Sequence, residues 1–509
     1  MAHDGERFWV LIESGSNQEF ILQSTRRRFQ VGASELVKDL ARWVERAVAA
    51  EGGSVETVVC TSSKALLRVP DRDSGKRIVK ATTAKALRLA PGLDVWGYVD
   101  NEATSDDDAM GRLPEVYRQH TAVRVTRPGP QRRFPQRPFL DTCPITAVPA
   151  TTIMKDPTKS QHAISASALT SRAYEAAWPA LQGLQEKYGP AVQKDLEKEL
   201  DNAGWVAVVH ADGNGLGTII SRLGKDELKA FSNALSEATE KAFADAINDV
   251  GGTNWIVPLI LGGDDVTFVC DGRRAIEVTR AYLKRFELLT SQSAALSGPL
   301  AARNERPFLT ACAGIAFVKP HFPFHAAFEL AESLCGAAKK ATKMLAPQRS
   351  SYDFHVVFDS VLRPLDEVRK QLTLGEHGEF TLWSAPFLAP SGGNSTVAPT
   401  EWTNDHEDQH LFDDVAAVLD AEEDRTISGA TLARIREALL KDSGMSMRRT
   451  LDRVAAATTE QSVVDFMHRT LPMKPDQTQG FSRFMATLAA ADMRTGVLAG
   501  PRATAGDET

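Results

Sequence analysis

The stretch Trp255-Ile-Val-Pro-Leu-Ile-Leu-Gly262-Gly263-Asp264-Asp265-Val-Thr-Phe-Val-Cys270 has an apolar run on each side of a Gly-Gly-Asp-Asp centre. Short apolar runs bounded by turn residues are typical of buried β-strands. Two glycines supply the positive φ that a tight hairpin turn needs. The sequence therefore predicts a β-hairpin that carries two carboxylates at its turn.

A second apolar run, upstream of the first, also ends in an acid. It reads Trp205-Val-Ala-Val-Val-His-Ala-Asp212-Gly-Asn-Gly-Leu-Gly217, which indicates a buried strand followed by a glycine-rich turn. Between the two stretches, apolar residues recur at helical spacing, at Leu228, Phe231, Leu235, Ala238 and Ala242. After the hairpin we expect a helix, a Ser/Ala/Gly/Pro loop over 291–306, the strand Leu309–Val318 and a basic helix. The order strand–helix–hairpin–helix–strand–helix is the ferredoxin-like plan of a palm domain.

The three acids at these strand ends point to metal chemistry. Carboxylates from neighbouring strands can share Mg²⁺ or Mn²⁺, which prefer oxygen ligands. Two such ions, about 3.5–4 Å apart, form the clamp used in nucleotidyl transfer. We predict Asp212, Asp264 and Asp265 as the catalytic, metal-binding set. The alternative is an ordinary hairpin whose Asp and Gly residues serve only the turn.

Small residues beside these acids are candidates for nucleotide binding, because they let phosphates approach backbone N–H groups where a helix begins. The candidates after the first strand and at the hairpin turn are Gly213, Asn214, Gly215, Gly217, Gly262 and Gly263.

These stretches resemble the second palm domain of the large polymerase/cyclase subunit of type III CRISPR effector complexes, which is related to GGDEF nucleotidyl cyclases. The run Ala313–Glu332, the pair Lys339-Lys340 and the run Ser351–Val357 continue the resemblance. It implies an enzyme that joins ATP into cyclic oligoadenylates with two Mg²⁺ or Mn²⁺ ions, activated by RNA. It also implies guide or target RNA and other effector subunits as partners. Lysines near the triphosphate would be Lys339 and Lys343, which share a helix face at i, i+4 spacing; a solvated basic helix end is the alternative.

Residues 1–110 repeat the ferredoxin-like order without a carboxylate pair. Apolar runs at Phe8–Ile12, Val55–Cys60, Ala65–Pro70 and Asp94–Val99 predict strands around two helices. The resemblance suggests a first, degenerate palm, and a small α+β domain without chemistry fits equally well.

Residues 111–202 form a Pro/Arg-rich linker followed by helices. Five arginines lie among prolines, with Phe134 and Phe139 between them: Arg124, Arg127, Arg132, Arg133 and Arg137. This composition can stack on and neutralise single-stranded RNA, or form a solvated linker. Relatives carry a zinc knuckle with Cys-x-x-Cys pairs here, but this chain has only Cys143, with threonine at 146. We expect no zinc, because a four-ligand site needs four thiolates or imidazoles.

The predicted fold class is α+β: two ferredoxin-like palms (residues 1–110, degenerate, and 203–375, catalytic), the linker 111–202, and a helical domain over 376–509. The 509 residues are 43% hydrophobic with a net charge of −7, which argues against coating nucleic acid by bulk charge.

The sequence shows no signal peptide or membrane span, and its five cysteines are scattered, so we expect a cytoplasmic protein without a membrane partner. Relatives often carry an N-terminal HD nuclease domain; the only His-Asp dipeptide here is His3-Asp4, so we expect that domain to be lacking.

Two other functions remain open at this stage. One is a stand-alone palm that makes a cyclic dinucleotide, since the acids do not identify the base. The other is a non-catalytic scaffold that binds RNA within the effector complex. The acids favour an enzyme, because like charges gathered without a metal would cost stability.

Overall fold

The computed structural model describes most of the chain: residues 6–24, 26–155, 163–194, 203–302, 306–345, 348–358, 363–374, 380–392, 400–419, 427–441, 449, 452–456, 461–471 and 480–495. His3-Asp4 lies outside these residues. No helix in the described part of the chain is both long and apolar enough to cross a lipid bilayer.

The N-terminal part forms a four-stranded antiparallel sheet with the order β2-β3-β1-β4. Its elements are β1 (Arg7–Gly15), α1 (Asn17–Leu22), α2 (Arg27–Ala50), β2 (Glu56–Cys60), β3 (Lys64–Val69), α3 (Arg72–Leu89) and β4 (Asp94–Thr104). Helix α3 begins where it does because the Asp71 carboxylate accepts a 2.8 Å hydrogen bond from the Ser74 backbone N–H. The strand order is that of a ferredoxin-like fold, as the sequence predicted.

The linker adds α4 (Ala109–Thr126), β5 (Thr152–Lys155), β6 (Ala163–Ala166) and α5 (Ala168–Tyr188). Helix α5 crosses α2 at very short range: a Cβ placed on Gly32 would lie 1.7 Å from the Ala173 carbonyl oxygen. Two of the five linker arginines, Arg127 and Arg133, turn toward the first sheet, whereas Arg124, Arg132 and Arg137 are exposed. Arg127 forms an ion pair with Asp94, and Arg133 donates a 3.0 Å hydrogen bond to the Leu93 carbonyl. These two side chains tie the linker to the first sheet.

The second palm is built on a six-stranded sheet with the order β14-β11-β10-β7-β9-β8, in which the edge strand β14 is Phe387–Leu388. Its elements are β7 (Val206–Gly213), α6 (Leu216–Ile220), α7 (Lys225–Val250), β8 (Ile256–Gly262), β9 (Asp265–Asp271), α8 (Gly272–Gln292), α9 (Ala294–Ala301), β10 (Ala311–Val318), α10 (Phe324–Thr342) and β11 (Ser351–Val356). The four strands β10, β7, β9 and β8 have the same relative order as the first sheet, so the two palms are topological repeats.

Burial follows the predicted patterns. All eight residues of β10 are buried, and α10 packs so closely on this strand that a Cβ on Gly314 would lie 1.9 Å from the Ala331 carbonyl oxygen. The apolar positions predicted for the long helix are buried in α7: Leu228, Phe231, Leu235, Ala238 and Ala242.

Two expectations need correction. The segment 291–306 is not simply a loop, since Ala294–Ala301 is helical and buries Leu296 and Leu300. Apolar contact with the palm outweighs the turn preference of its Ser, Gly and Pro residues. In addition, the palm sheet does not stop at residue 375, because β14 (Phe387–Leu388) pairs with β11 and adds an edge strand.

The C-terminal part is mainly helical, as predicted. Besides β14 it contains α11 (Leu365–Gln371), β12 (Thr373–Leu374), β13 (Phe380–Thr381), α12 (Glu401–Asp405), α13 (Asp408–Val418), α14 (Gly429–Lys441), α15 (Gln461–Thr470), β15 (Gly480–Phe481) and α16 (Phe484–Thr495). Arg280 of α8 donates hydrogen bonds of 2.5 and 3.2 Å to the buried Asp408 carboxylate, which joins this part to the second palm.

Candidate active site

Strand register brings the three predicted acids together. Strand β7 runs antiparallel to β9 with Ala211 opposite Val266, so one further step places Asp212 opposite Asp265. The β8–β9 turn is a two-residue turn, because Gly262 pairs with Asp265. Asp264 therefore stands at the tip of the hairpin, beside the end of β7 and close to Asp212.

The two glycines of this hairpin have different tasks, although the sequence suggested the same one for both. Only Gly263 has a positive φ, of 63°, as a two-residue hairpin with glycine at its first central position requires. Gly262 is instead a point of close approach, since a Cβ there would lie 2.8 Å from the hydroxyl oxygen of Ser62 in the first palm. The turn is also held from behind, where the Thr239 hydroxyl donates a 2.6 Å hydrogen bond to the Gly263 carbonyl.

Charge repulsion and burial act strongly on the acids. Burial, with the neighbouring Asp265 and Asp212 carboxylates, raises the pKa of Asp264 to about 7. Burial and Asp212 raise the pKa of Asp265 to about 6, against the opposing charge of Lys339. The site therefore holds more negative charge than its surroundings neutralise.

One cation already partners Asp212. The Lys339 ammonium, on α10, donates hydrogen bonds to the Asp212 carboxylate and, over 2.9 Å, to the Gly213 carbonyl. Lys343, one turn further along, is exposed. The structure thus brings Lys339 to the acids and leaves Lys343 on the surface.

Some of the residues after β7 are packed against their neighbours, and others have an accessible backbone. The backbone N–H of Asn214 is bonded to the Thr310 carbonyl at 2.8 Å, and its side-chain amide donates to the Thr310 hydroxyl at 3.0 Å. A Cβ on Gly213 would lie 2.4 Å from Leu216 Cδ1 and 2.9 Å from Asp264 Cβ. Gly215 and Gly217 have open space around them, so their backbone is accessible.

The carboxylate and carbonyl oxygens of this site are suitable ligands for a hard divalent cation, although their arrangement is not that of a formed metal site. Carboxylate and carbonyl oxygens are what Mg²⁺ and Mn²⁺ prefer, and the uncompensated charge on Asp264 and Asp265 favours a cation. Within the described residues, however, no group of three or more His, Cys, Asp or Glu side chains is positioned to hold a metal ion. The Lys339 ammonium lies next to Asp212 and the Gly213 carbonyl.

A cleft between the two palms borders Asp265. A cavity of about 480 Å³ is lined from the second palm by Gly262, Asp265 and His210. From the first palm it is lined by Ser62, Ser63, Ser34, Lys38 and the start of α1, residues 16–19. A larger cavity, of about 890 Å³, shares Ser16, Gln18 and Glu19 with it and extends along α10 to Glu332 and the 142–149 loop. Both volumes are in the range of small-ligand pockets.

The first palm contributes residues that the sequence patterns did not single out. Its Ser62-Ser63 turn joins β2 to β3, the place that corresponds to the Gly263-Asp264 turn in the second palm. The half-buried Lys38, on α2, lines the smaller cavity, and burial lowers the pKa of its ammonium group. The sequence pattern identified the first palm only as a ferredoxin-like repeat without acids, so it did not point to these residues.

A ferredoxin-like sheet that presents acids at two adjoining strand ends defines a palm domain. Residues 205–345 match the family model for the second palm domain of Cas10/Cmr2. The chain therefore carries a Cas10/Cmr2-type second palm, which confirms its resemblance to the large subunit of type III CRISPR effector complexes.

Solved structures with the same fold cover nearly the whole chain. A Csm1–Csm4 cassette in complex with cA3 is 12% identical with a TM-score of 0.55, covering 96% of this chain and 70% of that chain. The cassette in complex with AMPPNP is 13% identical with a TM-score of 0.51, covering 97% of this chain and 69% of that chain. Csm1 of T. onnurineus gives the same identity, TM-score and coverage. No curated protein sequence matches the chain.

Proposed function

We propose that this protein is a nucleotidyltransferase that converts ATP into cyclic oligoadenylates, and that Asp212, Asp264 and Asp265 are its catalytic residues. The observation that carries the proposal is the convergence of these acids at adjoining ends of β7 and β9, with Asp265 lining a cavity between the two palms. The ligands named for structures with this fold, an ATP analogue and cyclic adenylates, support ATP as the substrate.

Each transfer forms a bond between the 3′-oxygen of one nucleotide and the α-phosphorus of another. The bond from that phosphorus to the pyrophosphate oxygen breaks, and pyrophosphate and the hydroxyl proton leave. Ring closure is the same reaction between the last 3′-oxygen and the first α-phosphorus of one linear chain. Divalent ions bound by Asp212 and Asp264 would neutralise developing charge and lower the pKa of the attacking hydroxyl.

The chain's own residues position the substrates. Phosphoryl transfer is mainly positioning and charge stabilisation, so cations near the triphosphate count for much. Lys339 lies beside the acids, and we assign it to the triphosphate once a divalent ion partners Asp212. Lys38 faces the smaller cavity from the first palm and would act on phosphates from the opposite side. The Ser62 and Ser63 hydroxyls supply neutral hydrogen-bonding groups there.

We propose further that the protein works in a cytoplasmic type III effector complex and that target RNA activates it. Structures with this fold include Csm1 joined to Csm4, which supports a partner subunit of that kind. In this proposal Arg127 and Arg133 hold the linker to the first palm, so RNA contact falls to other basic residues.

The test is incubation of the purified protein with ATP or GTP and Mg²⁺ or Mn²⁺, with and without RNA and the co-expressed partner subunit. Products are separated by mass. We expect cyclic adenylates from wild type and a loss of roughly 100- to 1,000-fold in Asp264→Asn. Asp226→Asn, an exposed acid of the same palm, is the matched control and should retain activity.

The other outcomes separate the alternatives. A cyclic dinucleotide from GTP without RNA would replace the proposal with a stand-alone cyclase. No product under any condition, with wild type and Asp264→Asn binding RNA and partner equally, would indicate a scaffold.

A further inference from the structure

Four buried side chains in the linker converge although they come from two separate segments. Cys143 and Thr146 lie in the loop before β5, and Ser167 and Thr170 lie where α5 begins. In each pair the residues are three positions apart. Cys143, Ser167 and Thr170 are 0% exposed and Thr146 is 6% exposed.

Their polar atoms contact one another directly. The Thr170 hydroxyl lies 3.2 Å from the Cys143 sulfur, 3.3 Å from the Thr146 hydroxyl and 2.9 Å from the Ser167 hydroxyl. Thr146 and Ser167 are joined at 3.1 Å. Ser167 also caps α5, accepting a 3.1 Å hydrogen bond from the Thr170 backbone N–H. Every member therefore has at least one partner inside the cluster.

The surrounding backbone has the tight turns of a metal knuckle. The Cys143 N–H bonds to the Val148 carbonyl at 2.9 Å, and the Ala147 N–H bonds to the Cys143 carbonyl at 2.9 Å. Ala147 has a φ of 57°, a conformation that favours glycine. Four-ligand zinc sites are built from two segments, each of which contributes residues i and i+3 to the same point.

The atoms themselves do not fit zinc. Hydroxyl groups are poor zinc ligands, and a four-thiolate site would separate its sulfurs by about 3.8 Å, given Zn–S bonds of about 2.3 Å. Contacts of 2.9–3.3 Å are hydrogen-bonding distances that leave no space for an ion at the centre. We propose that Cys143, Thr146, Ser167 and Thr170 form a metal-free knuckle, in which hydrogen bonds among four side chains make the cross-link that zinc makes in a four-cysteine site.

The thiol fits this role as an acceptor. Burial acts to raise the pKa of Cys143, but hydrogen bonds from Thr146 and Thr170 and from backbone N–H groups outweigh it, so the pKa falls to about 7.

The knuckle matters for the cleft as well, because Thr142, Ala147, Val148 and Pro149 of its loop line the larger cavity. The cluster thus fixes one wall of that cavity relative to α5.

The test uses full-length protein and reads metal content and unfolding, so it is independent of any activity. The variant Thr146→Cys/Ser167→Cys/Thr170→Cys should bind one equivalent of Co²⁺ with the absorption of a tetrahedral thiolate site. Adding Cys143→Ser to it should abolish that absorption. Chelator should lower the melting temperature of the triple variant and leave wild type unchanged.

The proposal fails if wild type retains stoichiometric zinc that Cys143→Ser removes, or if the triple variant binds no more Co²⁺ than its Cys143→Ser control. A second pair of variants covers the case in which the triple variant does not fold. Thr170→Val keeps the shape but removes the shared hydroxyl, and it should melt several degrees below Thr170→Ser. Equal melting temperatures would show that the hydrogen bonds do not link the two segments.

Discussion

The Lys339 ammonium group is hydrogen-bonded to both the Asp212 carboxylate and the Gly213 carbonyl, at the end of the central strand β7. A carboxylate and a carbonyl oxygen side by side are a typical pair of ligands for a divalent cation. In this structure a side-chain cation therefore occupies the position that the proposed chemistry assigns to a metal ion.

Replacing Lys339 with Met should leave the negative charge of Asp212 without its partner cation. In metal-free buffer at pH 8 we expect a lower melting temperature than wild type, because Asp212 and its neighbours lose their cation. Mn²⁺ should then raise the melting temperature of the variant more than that of wild type. Turnover should fall by about 10- to 100-fold, the value of a charge-assisted hydrogen bond or two. Lys343→Met, at an exposed position just after the end of the same helix, is the control. An equal response to Mn²⁺ in wild type and Lys339→Met would contradict the assignment.

The raised pKa of Asp264 predicts a pH-dependent stability. An aspartate has a pKa of 3.8 when unperturbed, and in the fold Asp264 titrates near 7. Between these values the unfolded chain releases a proton that the folded chain keeps, so the free energy of unfolding falls as the pH rises from about 4 to about 7. Asp264→Asn removes this penalty. In EDTA at pH 8 the variant should melt a few degrees above wild type, and at pH 4 the difference should vanish. A variant that is less stable than wild type at pH 8 would refute the argument.

The close packing around Gly213 allows a test of how precisely Asp264 must be placed for catalysis. In Gly213→Ala the new Cβ would collide with Leu216 and Asp264 at 2.4 and 2.9 Å, so the hairpin tip has to move. A shift of about 1 Å in a reacting group can reduce the rate by about 100-fold. Gly217→Ala has open space and should retain activity and stability. Activity assays and circular dichroism on both variants distinguish misplacement of the acid from unfolding.

The contact between α2 and α5 predicts opposite effects for two helical glycines. Gly32→Ala would drive a Cβ against the Ala173 carbonyl and should destabilise the protein by about 1–3 kcal/mol or more. Gly183→Ala, on α5 with nothing within 4 Å, should stabilise it by up to about 1 kcal/mol. Urea unfolding measures both, and a neutral Gly32→Ala would mean that the helices separate easily.

The sequence predicted the second palm well because its signals are local. Apolar runs, the Gly-Gly-Asp-Asp turn and the amphipathic pattern of α7 each depend on neighbours in the chain. The class of fold is confirmed, including the ferredoxin-like repeat at the N-terminus. The acids converge because strands that pair in this order have only one register that keeps both apolar faces buried.

What the sequence did not predict depends on distant contacts. Thr239 supports the Gly263 carbonyl from a helix whose pattern says nothing of that hydroxyl. Lys38 and Ser62 reach the cleft only because the first palm packs against the second. The arginines of the linker suggested a solvated or RNA-binding surface, yet Arg127 pairs with the buried Asp94, which composition alone does not reveal.

The contact between Gly262 and Ser62 joins turns that occupy equivalent places in two repeats, and only one of these turns is acidic. A pair of identical halves would treat two bound nucleotides alike, and either could attack the other. Here the halves are fused and unlike, so in the proposed function the side on which a nucleotide binds would set its task as donor or acceptor. A product assembled in this cleft would then grow with a single polarity that the two-palm architecture imposes before any base is recognised.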